Sequence, residues 1–134
     1  MKAPSASCYG SIAWNAYCLA RDGMPPVQAW NETAKGKKEV CPRIAFLGLC
    51  EDGFLQHIPA GVYLNSRNLK NALYATSAAN HLLAHPNMAH SITPNSLWAI
   101  ALEEAGEAPC KAYHQQMHIV LTLWGEGVIQ SPQR

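Results

Sequence analysis

Two histidine pairs, a cysteine beside a proline and a cluster of basic residues are the groups in this 134-residue chain whose types and spacing suit chemistry. His81/His85 and His114/His118 are each four residues apart. On a helix that spacing puts both imidazoles on one face, an arrangement that suits zinc. No HExxH sequence accompanies either pair, so hydrolytic zinc chemistry would lack its base. On a helical wheel His81 and His85 fall opposite a Leu69-Leu73-Leu83 stripe, and His114 and His118 fall at the edge of theirs. All four are therefore expected to face solvent, with no metal and no other cofactor. Cys41 directly precedes Pro42. Free backbone amides at a helix start favour a thiolate, which is the nucleophilic form of cysteine. A nucleophile also needs a nearby base, and the sequence places none beside Cys41. The plainer expectation is an accessible but inert thiol.

Lys35, Lys37, Lys38 and Arg43 gather within nine residues, opposed only by Glu39. Arg43 falls in the first turn of the helix that follows, where a phosphate or carboxylate can dock on unpaired amides. A solvated linker is the plainer reading, since charge runs between helices are common. The two helices flanking this loop also suggest a helix-turn-helix. That motif needs an exposed, polar recognition helix, and the second helix here is apolar. Trp14 and Cys18 share the side of the first helix opposite its main stripe. They suit either a self-association surface or a seam between two halves of the fold. Neighbouring carboxylates at Glu51-Asp52 and Glu103-Glu104 point apart by about 100° on a helix, so neither pair is an acid/base dyad.

Six helices must position these groups. Residues 5–21 carry Tyr9, Ile12, Ala13, Ala16 and Ala20 at helical spacing and end before Gly23. Pro26 opens a second helix over 26–35, because a first-turn proline gives up no hydrogen bond. The third runs from Pro42 to about Asp52 and is apolar on every side, the pattern of a helix buried all round. Gly48, in its interior, costs about 1 kcal/mol relative to alanine, which suggests that another helix approaches closely there. A connector at 57–66 carries the Pro59-Ala60-Gly61 turn signal, and Val62-Tyr63 could form a short extended segment. The fourth helix, 67–85, places Leu69, Ala72, Leu73, Thr76, Ala79 and Leu83 on one stripe. Thr93-Pro94 caps and opens a fifth, with Leu97, Trp98, Ala101 and Leu102 inward. The sixth runs from about Pro109 to Trp124.

The chain also repeats itself. Leu47 to Gln56 is matched by Leu121 to Gln130, Trp30 by Trp98 and Leu19 by Leu83. The offset grows along the chain (83 − 19 = 64, 98 − 30 = 68, 127 − 53 = 74), as insertions in surface loops would produce. The expected architecture is all-α: one domain over 1–134, with three-helix units at 5–56 and 67–130 joined at 57–66.

Hydrophobic residues make up 49% and charged residues 14% of the chain. That is apolar for a soluble domain and hints at a dimer interface. The formal net charge of +1 argues against general electrostatic binding to nucleic acid or membrane. No apolar run reaches membrane-spanning length, and no secretory leader is evident. Five cysteines, odd in number and never spaced as CxxC, suit reduced thiols in the cytoplasm.

The run from Cys41-Pro42-Arg43-Ile44-Ala45-Phe46-Leu47-Gly48-Leu49-Cys50 through Glu51-Asp52-Gly53, followed by Ile58-Pro59-Ala60-Gly61-Val62-Tyr63, resembles a family of small bacterial domains of unknown function. Its later Leu97-Trp98 helix is similar as well. The resemblance covers most of the chain and brings no assigned catalytic residue with it. The expected function is therefore a non-enzymatic binding or interaction module that self-associates. The alternatives are an anion- or nucleic-acid-binding protein using Lys35, Lys37, Lys38 and Arg43, and a small enzyme with a cysteine or histidine centre.

Overall fold

The computed structural model describes residues 8–35, 40–64, 70–106 and 116–132. These contain six α-helices: α1 (Cys8–Arg21), α2 (Pro26–Ala34), α3 (Val40–Glu51), α4 (Lys70–Ala84), α5 (Pro94–Ala105) and α6 (Gln116–Gly125). A single 3-10 turn at Met88–His90 lies between α4 and α5. Among the described residues there is no strand, only an isolated antiparallel bridge between Leu55 and Ile129. The all-α expectation holds. The expected starts of the first helix before Cys8, the fourth before Lys70 and the sixth at Pro109 lie outside the described residues.

Local chemistry sets the helix ends. Pro26 and Pro94 occupy first-turn positions of α2 and α5. The Thr93 side chain accepts from the Ser96 amide at 3.1 Å, satisfying one of the free donors of α5. Three helices close in the same way. Past α1, Gly23 N–H donates to Ala20 and Met24 N–H to Leu19. Past α3, Gly53 donates to Cys50 and Phe54 to Leu49. Past α6, Gly127 donates to Trp124 and Val128 to Leu123. Each glycine has a positive φ (116°, 78° and 77°), the left-handed turn that lets these paired bonds form.

The endings of α3 and α6 also meet each other. Gln56 N–H donates to Val128 at 2.9 Å, and Gln130 N–H donates to Phe54 at 2.8 Å. Leu55 and Ile129, bridged at the centre of this clasp, are buried. They are 129 − 55 = 74 residues apart, the same offset that relates Gly53 to Gly127.

The helices interlock. α1 packs on α2 and α4 on α5, but α3 packs most extensively on α4, and α6 on α1. Residues Ile44 to Cys50 are buried without a break, and Trp30 packs its ring on Phe46 at 5.3 Å between centroids. At Gly48 an added Cβ would lie 2.6 Å from Ala72 Cβ and 2.8 Å from Ala72 Cα. Glycine is therefore what lets α3 and α4 touch backbone to backbone.

The inward face of α4 differs from the expected stripe. Thr76 and Ala79 of that stripe are buried, but Leu73 is 48% exposed, and the buried face extends instead over Tyr74, Ala75, Ala78 and Leu82. The helix is rotated by about one residue, or 100°. Ala72, a member of the expected stripe, still meets Gly48 of α3, now at the edge of the buried face.

Val62-Tyr63 forms no strand. A carboxylate fastens this connector instead. Glu51 Oε1 accepts from the amides of Tyr63 at 2.9 Å and Leu64 at 3.0 Å, and the Glu51 carbonyl accepts from Gly61 at 3.2 Å. Glu51 therefore has a reason to sit at an electrostatically unfavourable helix C-terminus. Two charge-assisted hydrogen bonds outweigh the dipole term.

Candidate functional site

A chain of polar side chains lies where α3, α4 and α6 come together. Cys41 is the second residue of α3, Asn71 the second described residue of α4, and Gln116 the first described residue of α6. Asn71 Nδ2 donates to Cys41 Sγ at 3.3 Å, and Gln116 Nε2 donates to Asn71 Oδ1 at 2.6 Å. Gln116 is only 1% exposed, whereas Cys41 and Asn71 are half-buried. A buried amide needs partners, so Gln116 fixes Asn71, and Asn71 holds its N–H toward the sulfur. Sulfur accepts hydrogen bonds only weakly unless it is thiolate, in which case the same contact becomes charge-assisted. His118, two residues beyond Gln116, is held below the usual histidine range by burial, which favours the neutral ring.

Sequence reasoning selected Cys41 but neither amide. Asn71 and Gln116 belong to no motif. Their only signal is polarity at positions whose neighbours, Ala72 and Met117, are apolar.

The remaining candidates are spread out. Lys35 is exposed just past α2, and Arg43 is half-buried in the first turn of α3; Lys37 and Lys38 lie outside the described residues. Because α3 is buried from Ile44 onward, it has no exposed recognition face of the kind a helix-turn-helix requires. Trp14 and Cys18 are half-buried, and Trp14 stacks on Tyr17 at 5.5 Å between centroids. Tyr17 in turn donates its hydroxyl to the Gln56 carbonyl at 2.9 Å, which ties α1 to the clasp.

The rotation of α4 changes the histidine picture. His81 was expected to face solvent, yet its side chain is only 16% exposed, and its Nδ1 lies 3.5 Å from Glu104 Oε1 on α5. His85 is exposed and rests its ring 4.6 Å from that of His81. His114 lies outside the described residues. Among the described residues, no group of three or more histidine, cysteine, aspartate or glutamate side chains forms a metal shell.

Residues 6–130 match the model of a family described only as a family of unknown function (DUF6979). The chain belongs to this family. No curated protein and no solved structure matches the chain. The family thus supplies no reaction or ligand, and any role for the Cys41 region must be argued from its geometry. Among the described residues, no helix is long and apolar enough to cross a membrane.

The thiols provide a direct check on this packing. Cys18 and Cys41 are half-buried, while Cys50 is fully buried and its thiol is pushed far above the usual range by desolvation. In the native protein at pH 8, iodoacetamide is expected to label Cys50 at least about tenfold more slowly than Cys18 or Cys41. Peptide mass spectrometry over a time course reads this out. Equal rates would contradict a closed α3 core.

Proposed function

We propose that this protein is a non-enzymatic interaction module that pairs with a second copy of itself through the side where α3 and α4 begin. The observation that carries this reading is the exposure of Val40 (56%) and Leu73 (48%) while nearly every other large apolar side chain of these helices is buried. The Asn71–Cys41 hydrogen bond brings the starts of α3 and α4 together, with Val40 the first residue of one and Leu73 in the first turn of the other, on the side of α4 away from Asn71. Large apolar groups left in water at a helix junction favour association, because burying the exposed half of each side chain gains roughly 1 kcal/mol. Analytical ultracentrifugation between about 1 and 100 µM is expected to show a reversible dimer. The exposed pair Val40→Glu and Leu73→Glu should shift it to monomer without changing the circular dichroism spectrum. A strict monomer across that range defeats the proposal.

One observation favours a second reading, a thiol-centred activity or modification site: the Asn71 amide poised on Cys41 Sγ. An amide donor can steady a thiolate but cannot take its proton, so the general base that a catalytic thiol requires would have to come from elsewhere. This reading calls for Cys41 to alkylate faster than Cys18, and for Asn71→Ala to remove the difference. The anion-binding alternative retains Lys35 and Arg43 as its described residues.

The same reading takes the two halves as copies of one three-helix unit, 5–56 and 67–130. The reciprocal bonds at Gln56 and Gln130, and the matching glycine stops, support that origin. A bacterial source is part of the same proposal and rests on the resemblance of the Cys41–Gly53 run alone. A cytoplasmic setting is supported by the odd number of cysteines and by the free thiols at Cys18, Cys41 and Cys50.

A further inference from the structure

We infer that His81 and His85 form a two-nitrogen chelate for a borderline divalent cation of the nickel, copper and zinc class, with water completing the coordination. Three independent features converge at the end of α4. The first is spacing: His85 keeps helical register past the last residue of α4, its N–H donating to the His81 carbonyl at 2.9 Å, so both rings stay on one face. The ring centres are 4.6 Å apart with the planes inclined by 42°, so the two rings are already in contact and near enough to be swung onto one ion.

The second feature is an available lone pair. His81 Nε2 is buried and has no hydrogen-bond partner. Its other nitrogen, Nδ1, lies 3.5 Å from Glu104 Oε1, which sets a carboxylate behind the ring. A carboxylate behind a ligating histidine orients the ring and raises its basicity. The third is charge: the C-terminal end of α4 carries partial negative charge, and Glu104 adds a full one, so a cation is electrostatically favoured at this point. His85 is exposed and supplies the entry path, turning its ring to share an ion with His81. Among the described residues, no third histidine, cysteine, aspartate or glutamate joins the pair as a ligand.

Isothermal titration of the full chain with nickel chloride, and separately with zinc chloride, tests this in a non-chelating buffer. The expected result is one ion per chain, with affinity weakened at least about tenfold by His85→Asn and several-fold by Glu104→Gln. His85 is exposed, so its replacement leaves the fold intact, and circular dichroism verifies this. If His85→Asn binds nickel as tightly as the parent, or if the parent takes up neither ion at 100 µM chain, the chelate does not exist.

Discussion

Replacing Gly48 with alanine should destabilise the fold by about 2–3 kcal/mol, and with valine by more, even though both residues favour a helix over glycine. Two opposing effects set the sign. Helix propensity alone would make alanine at an interior position about 1 kcal/mol more stable. Against that, the new Cβ would sit 2.6 Å from Ala72 Cβ and 2.8 Å from its Cα. The Cα belongs to the backbone of α4 and cannot rotate away, so the two helices must separate or tilt. That movement loosens the most extensive helix contact among the described residues. Urea denaturation of Gly48→Ala measures the net effect. Adding Ala72→Gly should recover part of the loss, since it removes the nearer of the two clashing atoms. A midpoint raised by Gly48→Ala would mean that propensity had won and that α3 and α4 do not touch as described.

The second large effect is expected at the other end of the chain. A protein ending at Gly127 should lose about 5 kcal/mol. Val128 and Ile129 are each 8% exposed, and burying two such side chains accounts for roughly 1.5–3 kcal/mol apiece. The two bonds at Gln56 and Phe54 add about 1 kcal/mol each. A single domain is stable by only about 5–15 kcal/mol, so the truncated chain should melt some 20 °C lower or fail to fold. Leu55→Ala and Ile129→Ala apply the same test with less disruption. They face each other across the bridge, so their double mutant should cost less than the sum of the singles. If the truncated chain melts as the parent does, the clasp contributes nothing to the fold.

Both effects trace to features that the sequence signals only in part. Gly48 inside an apolar helix announces a close neighbour but not which one; Ala72 is named only once α4 has packed. The recurrence of Leu47–Gln56 as Leu121–Gln130 marks two similar helix endings. Nothing in it says that the two would hydrogen-bond to each other, because pairing depends on where α3 and α6 lie in space. Glu51 is the clearest miss. Read locally, it is a carboxylate at the wrong end of a helix, and its stabilising partners are amides twelve and thirteen residues further on. The Cys41–Asn71–Gln116 chain was hidden for the same reason: its members are contributed by three helices.

The sequence by itself determined which segments are helical and where they stop, because those outcomes depend on contacts within a few residues: a proline in a first turn, a threonine cap, a glycine with positive φ. It also determined that α3 is buried, since a helix apolar all round has no face to offer water. Only the tertiary structure decided how α4 is turned. Its alanine and leucine faces both suit a core, and periodicity alone does not choose between them. That single rotation exposes Leu73 and draws His81 inward against Glu104, so which side chains face outward was fixed by packing between helices rather than by the periodicity of any one of them.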